Sequence, residues 1–205
     1  MGGVILLGDS VFFGIGASQR AFGSGKLIKK ALSCPVLIKS FNHYSTNDAL
    51  ENIEDYLLQY AEYKYYVINF GNNDCKLIGM NLALVEIAQY RENLQKLISK
   101  IQGHGKVPVL CNLQPISNEG FYRTYRDIAV YIQDPGIDPF LWQKRYSDAC
   151  QELVLNSKIG FIDIRTPLEK SPMNIWWQDG MHPNDVGHGI ISRAVSDVLK
   201  NMICL

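Results

Sequence analysis

The chain has 205 residues, of which 47% are hydrophobic and 20% are charged. This balance excludes an intrinsically disordered chain, and a single domain of this length can bury a full hydrophobic core. Lys plus Arg and Asp plus Glu each number 20, so the chain lacks the basic excess that is typical of nucleic-acid binding. We therefore expect one domain over residues 1–205 and no nucleic-acid partner.

The first apolar run, Val4–Leu7, is far shorter than the roughly 20 residues that span a bilayer, and no basic segment precedes it as in a signal peptide. We therefore expect a cytoplasmic protein without stable membrane insertion. The five cysteines are widely spaced and form no CxxC pair. This spacing predicts neither a disulfide framework nor a zinc site, and we expect no metal and no cofactor.

Predicted strands and helices alternate along the chain. In order, the patterns predict a strand at Val4–Leu7, a glycine-rich loop at Gly14–Gly25, a helix at Lys26–Leu32, a strand at Val36–Phe41, a helix at Asp48–Ala61, a strand at Tyr65–Phe70, a helix at Leu82–Ile101, a strand at Val107–Leu113, a long aromatic loop over 114–137, a helix at Pro139–Leu155, a strand at Ile159–Ile164 and a closing helix at Val186–Met202. Unbroken apolar strands are typical of a parallel sheet covered on both faces. The predicted fold class is therefore α/β, with a doubly wound parallel sheet of five strands.

Polar and reactive residues follow several of these strands. Ser10 comes after the first strand, Asn42–Asn47 after the second, Gly71–Asp74 after the third, and Asp179–Pro183 after a loop that follows the fifth. In an open parallel sheet, ligands bind at the carboxyl ends of the strands. We expect these residues to meet at that edge.

This set of residues is what acyl transfer requires. A serine such as Ser10 is a weak nucleophile until a base takes its proton, and His182 is a suitable base. Asp179 precedes His182 by three positions across a glycine turn and could orient its ring. The tetrahedral oxyanion needs donors, for which the candidates are the Ser10 backbone N–H, a backbone N–H near Asn47 and the Asn73 amide.

Three blocks of the sequence resemble those of the SGNH, or GDSL, hydrolases. Gly8–Gly14 matches the GDSxxxG block, Gly71–Asp74 the GxND block and Asp179–Pro183 the DGxHP block, in the family's order. The resemblance implies a flavodoxin-like, three-layer α/β/α fold with strand order 2-1-3-4-5. It also implies ester hydrolysis through an acyl-serine without a metal.

Carried over by position, the resemblance makes Ser10 the nucleophile and an oxyanion donor, Asn73 a second oxyanion donor, and Asp179 and His182 the rest of a catalytic triad. One block departs from the pattern, because Asn47 stands where the family places a glycine after the second strand. Asparagine enters the left-handed region more readily than most residues. We therefore expect Asn47 to adopt that conformation and to offer its backbone N–H to the oxyanion.

Other residues near the blocks are predicted to be structural. Asp9 and Asp74 are expected to brace loops by accepting hydrogen bonds, His188 to lie in the closing helix, and Cys75 to be a small buried group. Asp163 follows the fifth strand and is a rival for the orienting acid, although the DGxHP spacing favours Asp179.

The aromatic loop over 114–137 carries Phe121, Tyr122, Tyr125 and Tyr131, and loops of this length are usually functional. We expect it to form a lid or a wall of the acyl or alcohol pocket. Trp176–Trp177 is either a second wall or a seal for the edge of the core. Aromatic faces suit a sugar ring and an acyl chain alike.

The sequence therefore predicts a serine esterase, or O-acyl hydrolase, that acts on a small-molecule ester. An acylated sugar, a lysophospholipid and a short-chain ester all remain open as substrates. Two alternatives also remain, an O-acyltransferase that uses the same site and an inactive binding module on the same scaffold. The oligomeric state is not predicted.

Overall fold

A computed structural model describes residues 2–155, 157 and 159–203. The strands in chain order are β1 (Gly3–Gly8), β2 (Val36–Ser40), β3 (Tyr63–Asn69), β4 (Leu77–Gly79), β5 (Leu82–Ala83), β6 (Val107–Cys111) and β7 (Gly160–Ile162). The helices are α1 (Ser10–Phe13), α2 (Ser24–Ala31), α3 (Thr46–Gln59), α4 (Ile87–Gly103), α5 (Asn118–Thr124), α6 (Arg126–Ala129), α7 (Pro139–Leu155), α8 (Arg165–Glu169) and α9 (Asp185–Ile203), with a 3₁₀ turn at Arg20–Phe22.

The central sheet has five parallel strands in the order β2-β1-β3-β6-β7. Counted within this sheet, the order is 2-1-3-4-5, so the predicted fold class and strand order are confirmed. Strand β1 is buried along its whole length because it lies between two strands and under helices on both faces. Its residues alternate between the two faces, as the pleat of a strand requires.

Each face of the sheet packs against its own helices. Ile5 and Leu7 of β1 belong to one core, which α3, α4 and α7 cover with Ile53, Leu57, Leu94, Leu97 and Tyr146. Val4 and Leu6 belong to the other core, which α1, α2, α8 and α9 cover with Phe12, Ile28, Leu168, Ile191 and Val195. The result is three layers, helix on sheet on helix.

The predicted helix over Leu82–Ile101 is wrong in its first turn. A two-stranded antiparallel hairpin, β4–β5, ends at Ala83, and α4 begins only at Ile87. Asn81 at the hairpin turn has a left-handed backbone with φ of 49°. Its side-chain oxygen accepts from Gln133 N at 2.7 Å, and its backbone N–H donates to Tyr131 O at 2.8 Å. These contacts to a distant segment stabilise the hairpin, although the spacing of the apolar residues is also compatible with a helix that starts at Leu82.

The predicted loop over 114–137 contains two short helices, α5 and α6. Ser117 caps α5 by accepting from Gly120 N at 3.2 Å, which supports a helix that the aromatic composition does not indicate. We call residues 114–137 the insertion. Within the described part of the chain, no helix combines the length and apolar composition needed to cross a membrane.

Candidate active site

Ser10 lies at the carboxyl end of β1, as its position in the sequence predicts. It is the first residue of α1, and Asp9 caps this helix by accepting from Val11 N at 3.0 Å. Gly14 ends the helix with a φ of 99°. The short helix fixes the backbone on both sides of Ser10, whose side chain is buried at the base of a cavity.

Ser10, His182 and Asp179 form one line of hydrogen bonds. The His182 Nε2 atom lies 3.0 Å from Ser10 Oγ, although the two residues are 172 positions apart in the chain. On the other side of the ring, His182 Nδ1 lies 2.6 Å from Asp179 Oδ2. A carboxylate only accepts, so Nδ1 carries the proton and Nε2 is left to accept from the Ser10 hydroxyl.

The turn from Asp179 to His182 is built to hold the carboxylate. Asp179 Oδ1 accepts from the backbone N–H groups of Met181 and His182, each at 2.9 Å. Burial acts to raise the pKa of Asp179, but the hydrogen bonds from His182 and these backbone amides outweigh it and hold the pKa below its ordinary value. The carboxylate is therefore charged at neutral pH and available to the imidazole.

Helix α5 of the insertion packs directly on this turn. Gly180 has a φ of 69°, and a Cβ on Gly120 would lie 2.5 Å from the Gly180 Cα, so the two backbones touch. Ser117 N donates to Gly180 O at 2.7 Å, and Tyr125 Oη donates to Asp179 Oδ2 at 3.3 Å. Sequence reasoning placed Tyr125 in the insertion but missed its contact with Asp179.

Asn73 also lies at the cavity beside Ser10. Its Nδ2 donates to Tyr44 O at 2.8 Å. A primary amide has two N–H bonds, so one remains for a ligand while the other holds the side chain in place.

The prediction of a left-handed backbone at Asn47 is wrong. Ser45 and Asp48 form a capping box at the start of α3, which places Asn47 in the first turn of the helix. The left-handed residue in this loop is His43, with a φ of 67°. Asn47 is exposed, its side-chain oxygen accepts from Asn93 Nδ2 at 2.8 Å, and it is not among the described residues that line the cavity.

Asp9 and Asp74 are the buried braces that the sequence predicts. Asp9 Oδ2 accepts from Asn72 Nδ2 at 3.0 Å. Asp74 accepts from Thr46 N at 3.0 Å and also from the Thr46 hydroxyl. Burial raises the pKa of both carboxyl groups above the ordinary value, that of Asp74 to about 6.

The remaining candidates near the blocks have structural contacts. Asp163 follows β7 and accepts from Asn112 Nδ2 at 2.7 Å and from Thr166 N at 3.0 Å, whereas His182 binds Asp179. His188 is buried and bridges Ser24 N and Ile15 O.

Among the described residues, no group of three His, Cys, Asp or Glu side chains is placed to hold a metal ion.

A cavity of about 240 Å³ opens beside Ser10 and His182. The insertion, the β4–β5 hairpin and α7 supply half of the residues that line it, among them Ile116, Phe121, Tyr125, Ile128, Ile132, Leu77, Pro139 and Trp142. Residues Asn42, His43 and Lys76 also line it. The expectation that the aromatic loop forms a wall of the pocket agrees with this arrangement.

The tryptophan pair lies outside this wall. Trp176 packs against the core of the α9 face, and Trp177 is exposed in a shallow depression beside Asp185. Trp176 therefore fits the interpretation of a seal at the edge of the core, and the exposed Trp177 fits neither interpretation. Trp142 instead lines the cavity, which the sequence did not indicate because its spacing in α7 is that of an ordinary core residue.

Comparison with known proteins gives one family match. The model of the GDSL-like lipase/acylhydrolase family matches residues 6–190 of this chain. A search of curated proteins finds no match.

Several solved structures share the fold at low sequence identity. A lipase/acylhydrolase from Enterococcus faecalis superposes with a TM-score of 0.78 at 20% identity, covering 98% of this chain and 97% of that one. A carbohydrate acetylesterase family member from Sinorhizobium meliloti gives 0.77 at 15% identity, with both chains fully covered. A psychrotrophic esterase from Pseudoalteromonas sp., in a structure inhibited by monoethylphosphonate, gives 0.71 at 17% identity, again with full coverage.

Proposed function

Because this chain belongs to the GDSL-like lipase/acylhydrolase family, we propose that it is a serine esterase with Ser10, His182 and Asp179 as its triad. The observation that carries the proposal is the unbroken line of hydrogen bonds from Ser10 Oγ through the imidazole to the Asp179 carboxylate. An inactive scaffold has no need of this alignment, which argues against a binding module.

In the first half-reaction, His182 Nε2 takes the hydroxyl proton as Ser10 Oγ attacks the ester carbonyl carbon. The carbonyl oxygen becomes an oxyanion, and the imidazolium that forms is stabilised by Asp179. His182 then gives its proton to the leaving alcohol oxygen as the C–O bond breaks. The product is an acyl-Ser10 ester and a free alcohol.

In the second half-reaction, a water molecule attacks the acyl carbonyl while His182 Nε2 takes one of its protons. Collapse of the second tetrahedral intermediate returns the proton to Ser10 Oγ and releases a carboxylic acid. Both intermediates need hydrogen-bond donors at the oxyanion. We assign these to the Ser10 backbone N–H at the start of α1 and to the free N–H of the Asn73 amide; the exposed Asn47 is not included.

The proposal is tested by covalent labelling with a fluorophosphonate probe, which reacts with an activated serine. We expect wild type to be labelled at Ser10 and to hydrolyse p-nitrophenyl acetate. Ser10→Ala should lose labelling and lower kcat by a factor on the order of 10⁴ to 10⁶ with an unchanged melting temperature. The exposed Ser18 provides the matched control, Ser18→Ala, which should keep both activities.

A wild-type protein that neither reacts with the probe nor hydrolyses the acetate ester would contradict the proposal. Products formed with a competing alcohol present separate hydrolysis from acyl transfer. Free acid as the main product supports the esterase, and a new ester as the main product would replace it with an O-acyltransferase.

A further inference from the structure

One part of the cavity is apolar. Its wall there consists of Leu77 from the hairpin, Ile128 and Ile132 from the insertion, and Trp142 from α7. The one polar atom of these four side chains, Trp142 Nε1, donates to Cys75 O at 2.8 Å and is unavailable to a ligand. A ligand that enters this part of the cavity must therefore itself be apolar.

Three of the amide side chains that also line the cavity, those of Asn72, Gln114 and Gln143, bind one another. Gln114 Nε2 and Gln143 Nε2 each donate to Asn72 Oδ1 at 3.1 Å. Gln114 Oε1 accepts from Asn72 Nδ2 at 3.2 Å, and Gln143 Oε1 accepts from Arg165 at 2.9 Å. A sugar ring would bring several hydroxyl groups that each need a partner, and these amides are already committed to the protein.

We propose that this cavity is an acyl site, and that the substrates are esters of unbranched fatty acids of about six to eight carbons. The inference rests on the proposed function, because it assumes that the ester carbonyl lies at Ser10. The whole cavity, about 240 Å³, holds roughly eight groups of the size of a water molecule, at about 30 Å³ each, and the acyl chain takes most of this space. The acyl chain runs from Ser10 toward Ile132 and Trp142, and the polar alcohol faces Asn42, His43 and the exposed Lys76.

The part of the apolar wall that carries Ile132 is held in place by contacts outside the cavity. The hairpin turn at Asn81 binds Tyr131 O and Gln133 N, on either side of Ile132. Asn81 Nδ2 also donates to Asp134 Oδ1 at 2.9 Å. Ile132 is therefore fixed between the two segments, and its side chain sets the length of the site.

The first test measures kcat/KM for p-nitrophenyl esters from acetyl to dodecanoyl. We expect kcat/KM to rise about two- to fourfold with each added methylene up to six to eight carbons, since each methylene leaves water, and then to fall. An acetylated sugar should be a poorer substrate than the octanoyl ester. Activity on the acetyl ester with no gain from longer chains would overturn the acyl site while leaving the esterase intact, whereas inactivity on every ester would remove the esterase itself.

The second test changes the end of the site. We expect Ile132→Trp to lower the ratio of octanoyl to acetyl kcat/KM at least tenfold, and Ile132→Ala to move the optimum to longer chains. Val130→Trp is the matched control, because Val130 lies two positions away in the insertion but is 59% exposed, and it should keep the wild-type ratio. A protein that is merely destabilised loses rate on all esters without changing their order.

Ile128→Phe gives a second variant of the same wall and should also shorten the optimum. The same chain-length profile in both Ile132 variants and in Ile128→Phe would overturn the assignment of this wall. Binding provides a readout without turnover. Ser10→Ala should bind octanoate more tightly than acetate in calorimetry, and equal affinities would contradict the acyl site.

Discussion

At the scale of single residues, the proposed acid of the triad has more support than a hydrogen bond to histidine alone. Two backbone amides hold Asp179 Oδ1, while Oδ2 accepts from both His182 and the Tyr125 hydroxyl. Tyr125 is thus a positioning residue that acts through the carboxylate. Burial and the nearby Asp179 charge raise the pKa of Tyr125 to about 12, so its hydroxyl remains a donor at neutral pH.

We expect Tyr125→Phe to lower kcat about three- to tenfold, because one hydrogen bond to a charged group is lost while the aromatic ring still lines the cavity. KM for the octanoyl ester should change less than twofold. Steady-state kinetics on purified variants measure both. The control is Tyr122→Phe, whose exposed ring lies in α5, three positions before Tyr125. Equal kcat values for Tyr125→Phe and wild type would show that the hydroxyl does not position Asp179.

The sequence could predict those site residues that lie in the three short sequence blocks. Ser10, Asn73 and the Asp179–His182 turn meet because parallel strands end at one edge of the sheet. Tyr125 could not be selected among the aromatic residues of the insertion, since its contact with Asp179 joins residues 54 positions apart. The conformation of Asn47 was missed because the capping box of α3 overrides the tendency of asparagine toward left-handed backbone.

At the scale of elements, α5 and the turn that carries His182 behave as one packed unit. The contact between Gly120 and Gly180 leaves no room for a side chain on either residue. The insertion therefore serves both as a wall of the cavity and as a support for the proposed base.

We expect Gly120→Ala to destabilise the protein by about 1–3 kcal/mol and to lower kcat, because the new methyl group must push the turn at Gly180 away from α5. Thermal denaturation and kinetics with the acetyl ester measure the two effects. Gly103→Ala is the matched control, since nothing lies within 4 Å of its Cβ position at the end of α4, and it should be neutral or slightly stabilising. A melting temperature and kcat like those of wild type in Gly120→Ala would mean that the turn adjusts freely.

Element prediction succeeded where one local pattern dominates. The five sheet strands are short and mostly apolar, and α7 has the predicted bounds Pro139–Leu155. It failed at the hairpin, whose apolar residues are also compatible with helical spacing. There the contacts of Asn81 with the insertion decide the conformation, and such contacts cannot be read from a short window of sequence.

At the scale of the whole molecule, two carboxyl groups are buried under the edge of the sheet that carries the site. Asp74 ties the start of α3 to the loop after β3, and Asp9 ties α1 to the same loop through Asn72. Burial raises the pKa of Asp74 to about 6, so the folded state binds its proton more tightly than the unfolded chain does. The stability that Asp74 contributes is thus complete below about pH 4 and is lost as the pH rises through about 6.

We expect Asp74→Asn to remove this part of the pH dependence. Relative to wild type, the variant should gain about 2–3 kcal/mol in free energy of unfolding between pH 4 and pH 7, since the amide keeps an acceptor for Thr46 and does not ionise. Denaturant titrations at several pH values measure the difference. The exposed Asp55 supplies the control, Asp55→Asn, which should leave the profile unchanged. A constant difference between Asp74→Asn and wild type across this range would place the pKa of Asp74 near its unfolded value.

The hydrogen bonds at Asn81 join segments from two different crossover connections, one between β3 and α4 and the other between β6 and α7. The hairpin and the insertion, which both line the cavity, are therefore bound to each other as well as to the sheet. Residues of these two segments, such as Ile132, can therefore change by drift or by design while the strands hold the proposed triad in place. Changes in substrate preference would then accumulate in these two short stretches of sequence and leave the three sequence blocks unchanged.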